Sequence, residues 1–202
     1  MRLATAMVLW LALATGAGAA SLPDVIDKVR PSVVGIGTAY PLRQPNRKGD
    51  PVRYLGTGFV VGNGLQVITN AHVIPEKLDT ENNQSIAVFA GRGASATAHK
   101  ARVVRVDEEH DLALLTIEGR PLPALELGRA ESVREGQAVA FTGFPIGMVL
   151  GLYPVTHRGI VAAITPMARP MENARTLNAV QIQRLRSQRF EAFQLDATAY
   201  PG

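Results

Sequence analysis

The sequence predicts an all-β protein built from two small barrels. Short runs rich in Val, Ile, Leu and Thr recur along the chain, separated by Gly, Pro, Asn and Asp. Short strands divided by turn residues at this kind of spacing are typical of β-barrels and sandwiches. Each half of the chain has its own alternation of apolar residues, which favours two barrels over one sandwich.

The predicted elements follow the chain in order. A short helix at Leu22–Val29 has apolar residues at helical spacing, and Arg30-Pro31 ends it. The Pro-containing stretch 121–123 is the predicted linker between a first barrel, 21–123, and a second, 124–202. The predicted strands are 32–38, 56–61, 65–69, 85–90, 101–106, 112–117, 138–142, 156–164 and 190–195.

One stretch departs from the β pattern. Residues 171–189 place apolar residues at helical spacing among several arginines, which predicts an amphipathic, basic helix inserted in the second barrel. Its ordinary interpretation is a surface helix packed on that barrel. A regulatory lid or a partner-binding element is the alternative.

The first twenty residues have the features of a secretory signal peptide. Arg2 gives a positive start, 3–14 is apolar, and small residues lead up to Ala20. An uncleaved membrane anchor is the alternative, since 3–20 is nearly long enough to span a bilayer. We therefore expect an exported protein, periplasmic or secreted from a bacterium, that is free of the membrane after signal cleavage.

Composition excludes several classes of function. The sequence has no cysteine, which excludes disulfides, a thiolate nucleophile and a Cys-based zinc site. The net charge of +4 is scattered, and aromatic residues make up only 5%, so nucleic-acid binding is not expected. No HExxH, GxSxG or GxxxxGK[ST] motif occurs. Neither a metal site nor a cofactor is predicted.

His72 is the histidine best placed for catalysis. It follows the predicted strand 65–69, which returns from 56–61 through a Gly-Asn-Gly turn. A histidine at such a strand end has limited rotational freedom and one side facing solvent, which suits a general base. Of the other histidines, His99 is expected in a polar loop, and His110 is expected to be structural or exposed.

Asp111 opens the apolar run 112–117. A carboxylate at the mouth of a buried strand costs free energy unless hydrogen bonds satisfy it. The ordinary interpretation is a turn or cap residue with a backbone partner. The functional interpretation is that Asp111 meets His72 across the first barrel and holds its ring. Spacing alone leaves both open.

Five blocks of this sequence form one recognisable series. They are 56–61 with 67–74, 111–115, 136–147, 156–161 and 194–202. The series resembles that of trypsin-like serine endopeptidases, most closely those of the bacterial HtrA (Deg) type. The blocks occur in the family's order, with the histidine block first, the aspartate block second and the stretch leading into G-N-S-G last.

The resemblance implies a trypsin-like double β-barrel whose second barrel is incomplete in this chain, and a Ser-His-Asp triad. His72 would be the general base and Asp111 its orienting carboxylate. Gly202 would donate a backbone N–H to the oxyanion hole. Thr198 and Ala199 would line the pocket for the residue before the scissile bond. The family's serine would lie two residues past Gly202.

None of the serines in this sequence lies in the family's motif. We therefore expect a fragment of a serine endopeptidase that hydrolyses exported polypeptides, a class that includes misfolded ones. The 202-residue chain itself is expected to be inactive, and the sequence is compatible with an oligomer. The alternatives are a non-catalytic trypsin-fold protein that binds exposed peptide segments, and an inactive truncated product.

Overall fold

The computed structural model describes residues 21–41, 50–145, 151–167 and 190–197. The predicted signal peptide, 1–20, and the predicted helix, 171–189, lie outside these residues. Within the described part of the chain, no helix is long and apolar enough to cross a membrane.

The described residues form one α-helix and nine β-strands. Helix α1, Leu22–Val29, begins at Ser21, whose side chain accepts the backbone N–H of Asp24, and its bounds agree with the prediction. The strands are β1 (Val33–Ala39), β2 (Val52–Val61), β3 (Gln66–Thr69), β4 (Ser85–Ala90), β5 (Thr97–Asp107), β6 (Leu112–Ile117), β7 (Ala138–Gly143), β8 (Val155–Met167) and β9 (Phe190–Asp196).

Strands β1 to β6 close into an antiparallel barrel in the order β1-β2-β3-β6-β5-β4. Closure pairs every strand on both sides, so this barrel has no open edge. Its interior is filled by aliphatic side chains, most of them β-branched, which suits the pleated surface of a strand. The fully buried members of this core include Val34, Ile36, Val60, Val67, Val88 and Leu115.

Strands β7, β8 and β9 form an antiparallel sheet that packs on the outside of the barrel. Phe144 and Leu152, from the connection between β7 and β8, are buried against Val33 and Phe89. The backbone N–H of Phe144 also donates to Oγ1 of Thr57 at 2.9 Å. The all-β prediction is confirmed, with one closed barrel and a second sheet docked against it.

Two strands start four residues earlier than predicted. β2 begins at Val52 instead of 56, and β5 begins at Thr97 instead of 101. His99 therefore lies in a strand, and its predicted place in a polar loop is wrong. The polar start of β5 is held by its ladder with β4, where His99 pairs with Val88. Backbone pairing outweighs the low strand propensity of Ala98 and Lys100.

The predicted linker is fastened to the first barrel. The backbone N–H of Leu122 donates to the carbonyl of Gly64 at 2.9 Å, and its side chain packs against the barrel core. Gly64 has a φ of +83° and lies so close to this segment that a Cβ would be 2.4 Å from the carbonyl oxygen of Leu122. The division of domains at residue 123 stays a prediction.

Removal of a buried side chain should destabilise the barrel much more than removal of an exposed one. Leu115 is fully buried, so Leu115→Ala leaves a cavity and should lower the free energy of unfolding by about 2–5 kcal/mol. Leu127 is 65% exposed and provides the matched control, Leu127→Ala, with little expected change. Urea unfolding followed by circular dichroism measures both; equal losses would contradict this description of the core.

Candidate active site

The backbone on both sides of His72 is anchored to the barrel. Before it, Thr69 ends β3 and donates its hydroxyl to the carbonyl of Thr57 at 2.8 Å. After it, Val73 is buried in the barrel core. Gly56 makes room for that valine, because a Cβ at residue 56 would be only 2.7 Å from Cγ2 of Val73. The short 3₁₀ helix Ala71–Val73 therefore holds His72 firmly, while the side chain of His72 is 70% exposed.

Asp111 lies against this 3₁₀ helix and binds His72 twice. Its Oδ1 accepts the backbone N–H of His72 at 3.0 Å, and its Oδ2 is 2.7 Å from ring Nδ1. The side-chain amide of Asn70 donates to Oδ2 at 3.2 Å. The structure thus brings together the two residues that the sequence suggested, although they are 39 residues apart.

The main chain of Asp111 joins the same network. Its carbonyl oxygen accepts the backbone N–H of Ala71 at 3.1 Å and the amide of Asn70 at 3.0 Å. Asp111 itself has a φ of +53°, in the left-handed region that aspartate tolerates better than most residues other than glycine. The ordinary and the functional interpretations of Asp111 are therefore compatible, since it ends a turn and also contacts His72.

These hydrogen bonds set the charge of the pair. The backbone N–H of His72 is the main cause that lowers the pKa of the Asp111 carboxyl, with the ring of His72 adding to it against an opposing desolvation effect. The carboxylate is therefore ionised at neutral pH and can accept a proton held on Nδ1 of His72. With the proton on Nδ1, the Nε2 atom has a free lone pair and can act as a base.

A second histidine–aspartate pair lies next to the first. Oδ1 of Asp107 accepts the backbone N–H of His110 at 3.1 Å, and Oδ2 is 2.9 Å from ring Nδ1 of His110. Sequence reasoning missed this pair. The signal that could have found it is the D-x-x-H spacing at a turn between two strands. An aspartate side chain at such a turn often accepts the backbone N–H of a residue a few positions further along the chain.

The remaining predicted site residues, Thr198, Ala199 and Gly202, lie outside the described residues. Where the structure describes the chain, a cleft of about 250 Å³ opens between the barrel and the second sheet, with Thr57 and His157 in its lining. The described residues include no cluster of three or more histidine and acidic side chains that could hold a metal ion.

The fold agrees with the comparison with known families. The model of the trypsin-like peptidase domain matches residues 56–202, a range that includes both His72 and Asp111. The chain therefore belongs to the trypsin-like peptidase family.

Its relatives are of the HtrA type. The chain is 31% identical over 195 residues to a protein of Pseudomonas fluorescens named "Probable periplasmic serine endoprotease DegP-like", with 79% of this chain and 38% of that protein covered. The solved structure titled "HtrA-type protease AlgW with decapeptide" matches with a TM-score of 0.61 and 21% identity over 91% of this chain and 53% of that chain. The structure of Deg5 matches with a TM-score of 0.58 and 25% identity over 89% and 74%.

The comparisons confirm the resemblance read from the sequence. The chain spans 38% of the length of its Pseudomonas relative.

The lowered pKa of Asp111 gives its contribution to stability a definite pH dependence. As the pH falls below about 4, the ordinary pKa of aspartate, the unfolded chain takes up a proton before the folded protein does, so folding is weakened. Asp111→Asn removes this carboxylate. We expect its free energy of unfolding to fall less steeply between about pH 5 and pH 2.5 than that of the wild type.

Urea unfolding at a series of pH values measures this slope. Asp27→Asn, in the surface helix α1, is the matched control for loss of one carboxylate. Identical slopes for the wild type and Asp111→Asn would contradict the described contacts.

Proposed function

We propose that this chain provides the general base and the orienting carboxylate of a serine-type endopeptidase. The observation that carries the proposal is the 2.7 Å contact between Nδ1 of His72 and Oδ2 of Asp111, reinforced by the bond from the backbone N–H of His72. Nε2 of His72 removes the proton of a serine hydroxyl and later returns it to the leaving amine. Asp111 fixes the tautomer of His72 and stabilises its cationic form.

The serine and the oxyanion hole belong to the part of the proposal that extends past the described residues. The backbone N–H of Gly202 would donate to the oxyanion, and Thr198 and Ala199 would line the pocket for the residue before the scissile bond. The family match, which runs through residue 202, supports these roles. The nucleophile is proposed to be a serine of the complete protein that follows Gly202.

Four of the five serines among the described residues are engaged elsewhere. Three of them bond within short local turns or a helix cap, and the fourth is buried in the 3₁₀ turn before β1. The fifth, Ser85, is the first residue of β4 in the closed barrel. Ser21 bonds Asp24, Ser95 bonds the carbonyl of Arg92, Ser132 bonds the carbonyl of Arg129, and Ser32 is only 2% exposed. This supports a nucleophile outside the described part of the chain.

Substrate class and location are part of the same proposal. The solved structure of the HtrA-type protease AlgW is titled as one with a decapeptide, and the name of the Pseudomonas relative describes it as periplasmic. Together with the predicted signal peptide at 1–20, these names support a periplasmic or secreted enzyme that cleaves exported polypeptides, including misfolded ones. Residues 21–123 would form the barrel with His72 and Asp111, and residues 124–202 would belong to the second barrel.

The proposal predicts a large and specific loss of activity when the pair is altered. In the product of the complete reading frame, His72→Ala should lower kcat on an unfolded fluorogenic protein substrate by about a millionfold, because the serine loses its base. Asp111→Asn should lower kcat by about ten-thousandfold, because it stabilises the wrong tautomer of His72. His99→Ala is the matched control, since His99 bonds Thr97 at the start of β5, at the opposite end of the strand from Asp107, and it should retain activity.

Two results would contradict the proposal. A wild-type protein that binds unfolded polypeptides without cleaving them would be a peptide-binding relative of the family. Turnover that survives His72→Ala would show that another group acts as the base.

A further inference from the structure

The turn between β5 and β6 is closed by a side chain as well as by its backbone. Asp107 pairs with Leu112 in the last rung of the β5–β6 ladder, and residues 108–111 form the turn between them. From this rung the carboxylate of Asp107 reaches His110 twice, once at the backbone N–H and once at ring Nδ1. The carboxylate therefore fixes the backbone one residue before Asp111.

The two histidine–aspartate pairs have the same geometry. In each, one carboxylate oxygen accepts the backbone N–H of the histidine, and the other oxygen faces Nδ1 of the same residue. The two pairs are directly connected through the backbone, because His110 of one pair and Asp111 of the other are neighbours in the chain. A displacement of His110 therefore moves the carboxylate that holds the ring of His72.

The backbone of Asp111 needs such support. Its φ of +53° lies in the left-handed region, which residues other than glycine adopt at a cost in conformational free energy. Its backbone N–H is 3.4 Å from the carbonyl of Glu108, a long hydrogen bond with little strength. The bonds from Asp107 to His110 hold the preceding residue and so help to keep Asp111 in this conformation.

The second sheet holds the same histidine from another side. The ring of His110 makes an edge-on contact with Phe190, the first residue of β9, at a centroid distance of 4.9 Å and an interplanar angle of 61°. Edge-to-face ring contacts are favourable, so this contact adds to the hydrogen bond at Nδ1 in holding the ring of His110.

Exposure decides what kind of role the pair has. The side chains of His110 and Asp107 are 38% and 39% exposed, so solvent screens their charges and the ion pair adds little to global stability. The two hydrogen bonds nevertheless fix the position of the His110 backbone and ring relative to Asp107. The effect of the pair is therefore geometric and local to the turn.

We propose that Asp107 and His110 are positioning residues that fix the carboxylate of Asp111 and, through it, the ring of His72. This inference rests on the proposed function of His72 and Asp111. Neither Asp107 nor His110 takes part in proton transfer. Because a misplacement of about 1 Å can cost about a hundredfold in rate, a loosened turn would impair catalysis without removing any catalytic group.

The tautomer of His72 tests this directly in the 202-residue chain. Long-range ¹⁵N–¹H NMR at about pH 8.5, above the ordinary histidine pKa, gives the fraction of neutral rings with the proton on Nδ1. The wild type should have mainly the Nδ1–H tautomer. Asp111→Ala, which removes the acceptor, gives the reference for a ring that is not held.

The variants of the second pair should fall between these limits. Asp107→Ala removes both bonds and should move the tautomer fraction at least halfway toward the Asp111→Ala value. Asp107→Asn keeps an oxygen that can accept the backbone N–H of His110, so it should restore much of the wild-type fraction. His99→Ala, the matched control, should leave the fraction unchanged, since His99 bonds Thr97 and not the turn.

Urea unfolding of each variant separates a local effect from a loss of folding. If Asp107→Ala does not fold, His110→Ala, which leaves the backbone bond in place, decides the question with a smaller shift in the same direction. Wild-type fractions in all folded variants of Asp107 and His110, beside an altered Asp111→Ala, would overturn this inference alone. A tautomer unchanged in Asp111→Ala would remove the basis of both this inference and the proposed function.

Discussion

The site depends on the hydrogen bonds that the carboxylate of Asp111 makes with the residues around it. This carboxylate accepts bonds from the backbone and ring of His72 and from the amide of Asn70, while the carbonyl of Asp111 receives the backbone N–H of Ala71. Charge-assisted bonds of this kind are stronger than neutral ones and favour the ionised carboxylate. Since the pair is partly exposed, its importance lies in the geometry of the imidazole more than in the stability of the fold.

The barrel brings these groups together through strand pairing. β3 and β6 are neighbours, with Thr69 opposite Ala113 and Val67 opposite Leu115. This register places the residues that follow β3 beside the residue that precedes β6. The buried side chains of the same two strands fix the register, because a shift by one residue would turn them toward solvent. Core packing and site geometry therefore have a common origin.

Much of this arrangement could be predicted from local sequence. α1, β4 and β6 have the predicted bounds, because each combines a clear apolar period with clear turn residues at its ends. His72 and Asp111 were suggested by their places at strand ends. Their contact could not follow from spacing, since it depends on the register of β3 against β6.

The rest of the structure depends on tertiary contacts that leave little local signal. The polar start of β5 is a strand because β4 pairs with it, and Phe144 is buried because it meets Val33 and Phe89 on the outer face of the barrel. The pair of Asp107 and His110 resembles any polar turn until the structure shows its two bonds.

Mass-spectrometric mapping of a fluorophosphonate adduct is the most direct test that His72 and Asp111 activate a serine. The reagent is applied to the product of the complete reading frame and to its His72→Ala variant. We expect one adduct, on the proposed serine that follows residue 202, with labelling reduced by several orders of magnitude when His72 is replaced. No adduct, or an adduct that forms equally fast without His72, would contradict it.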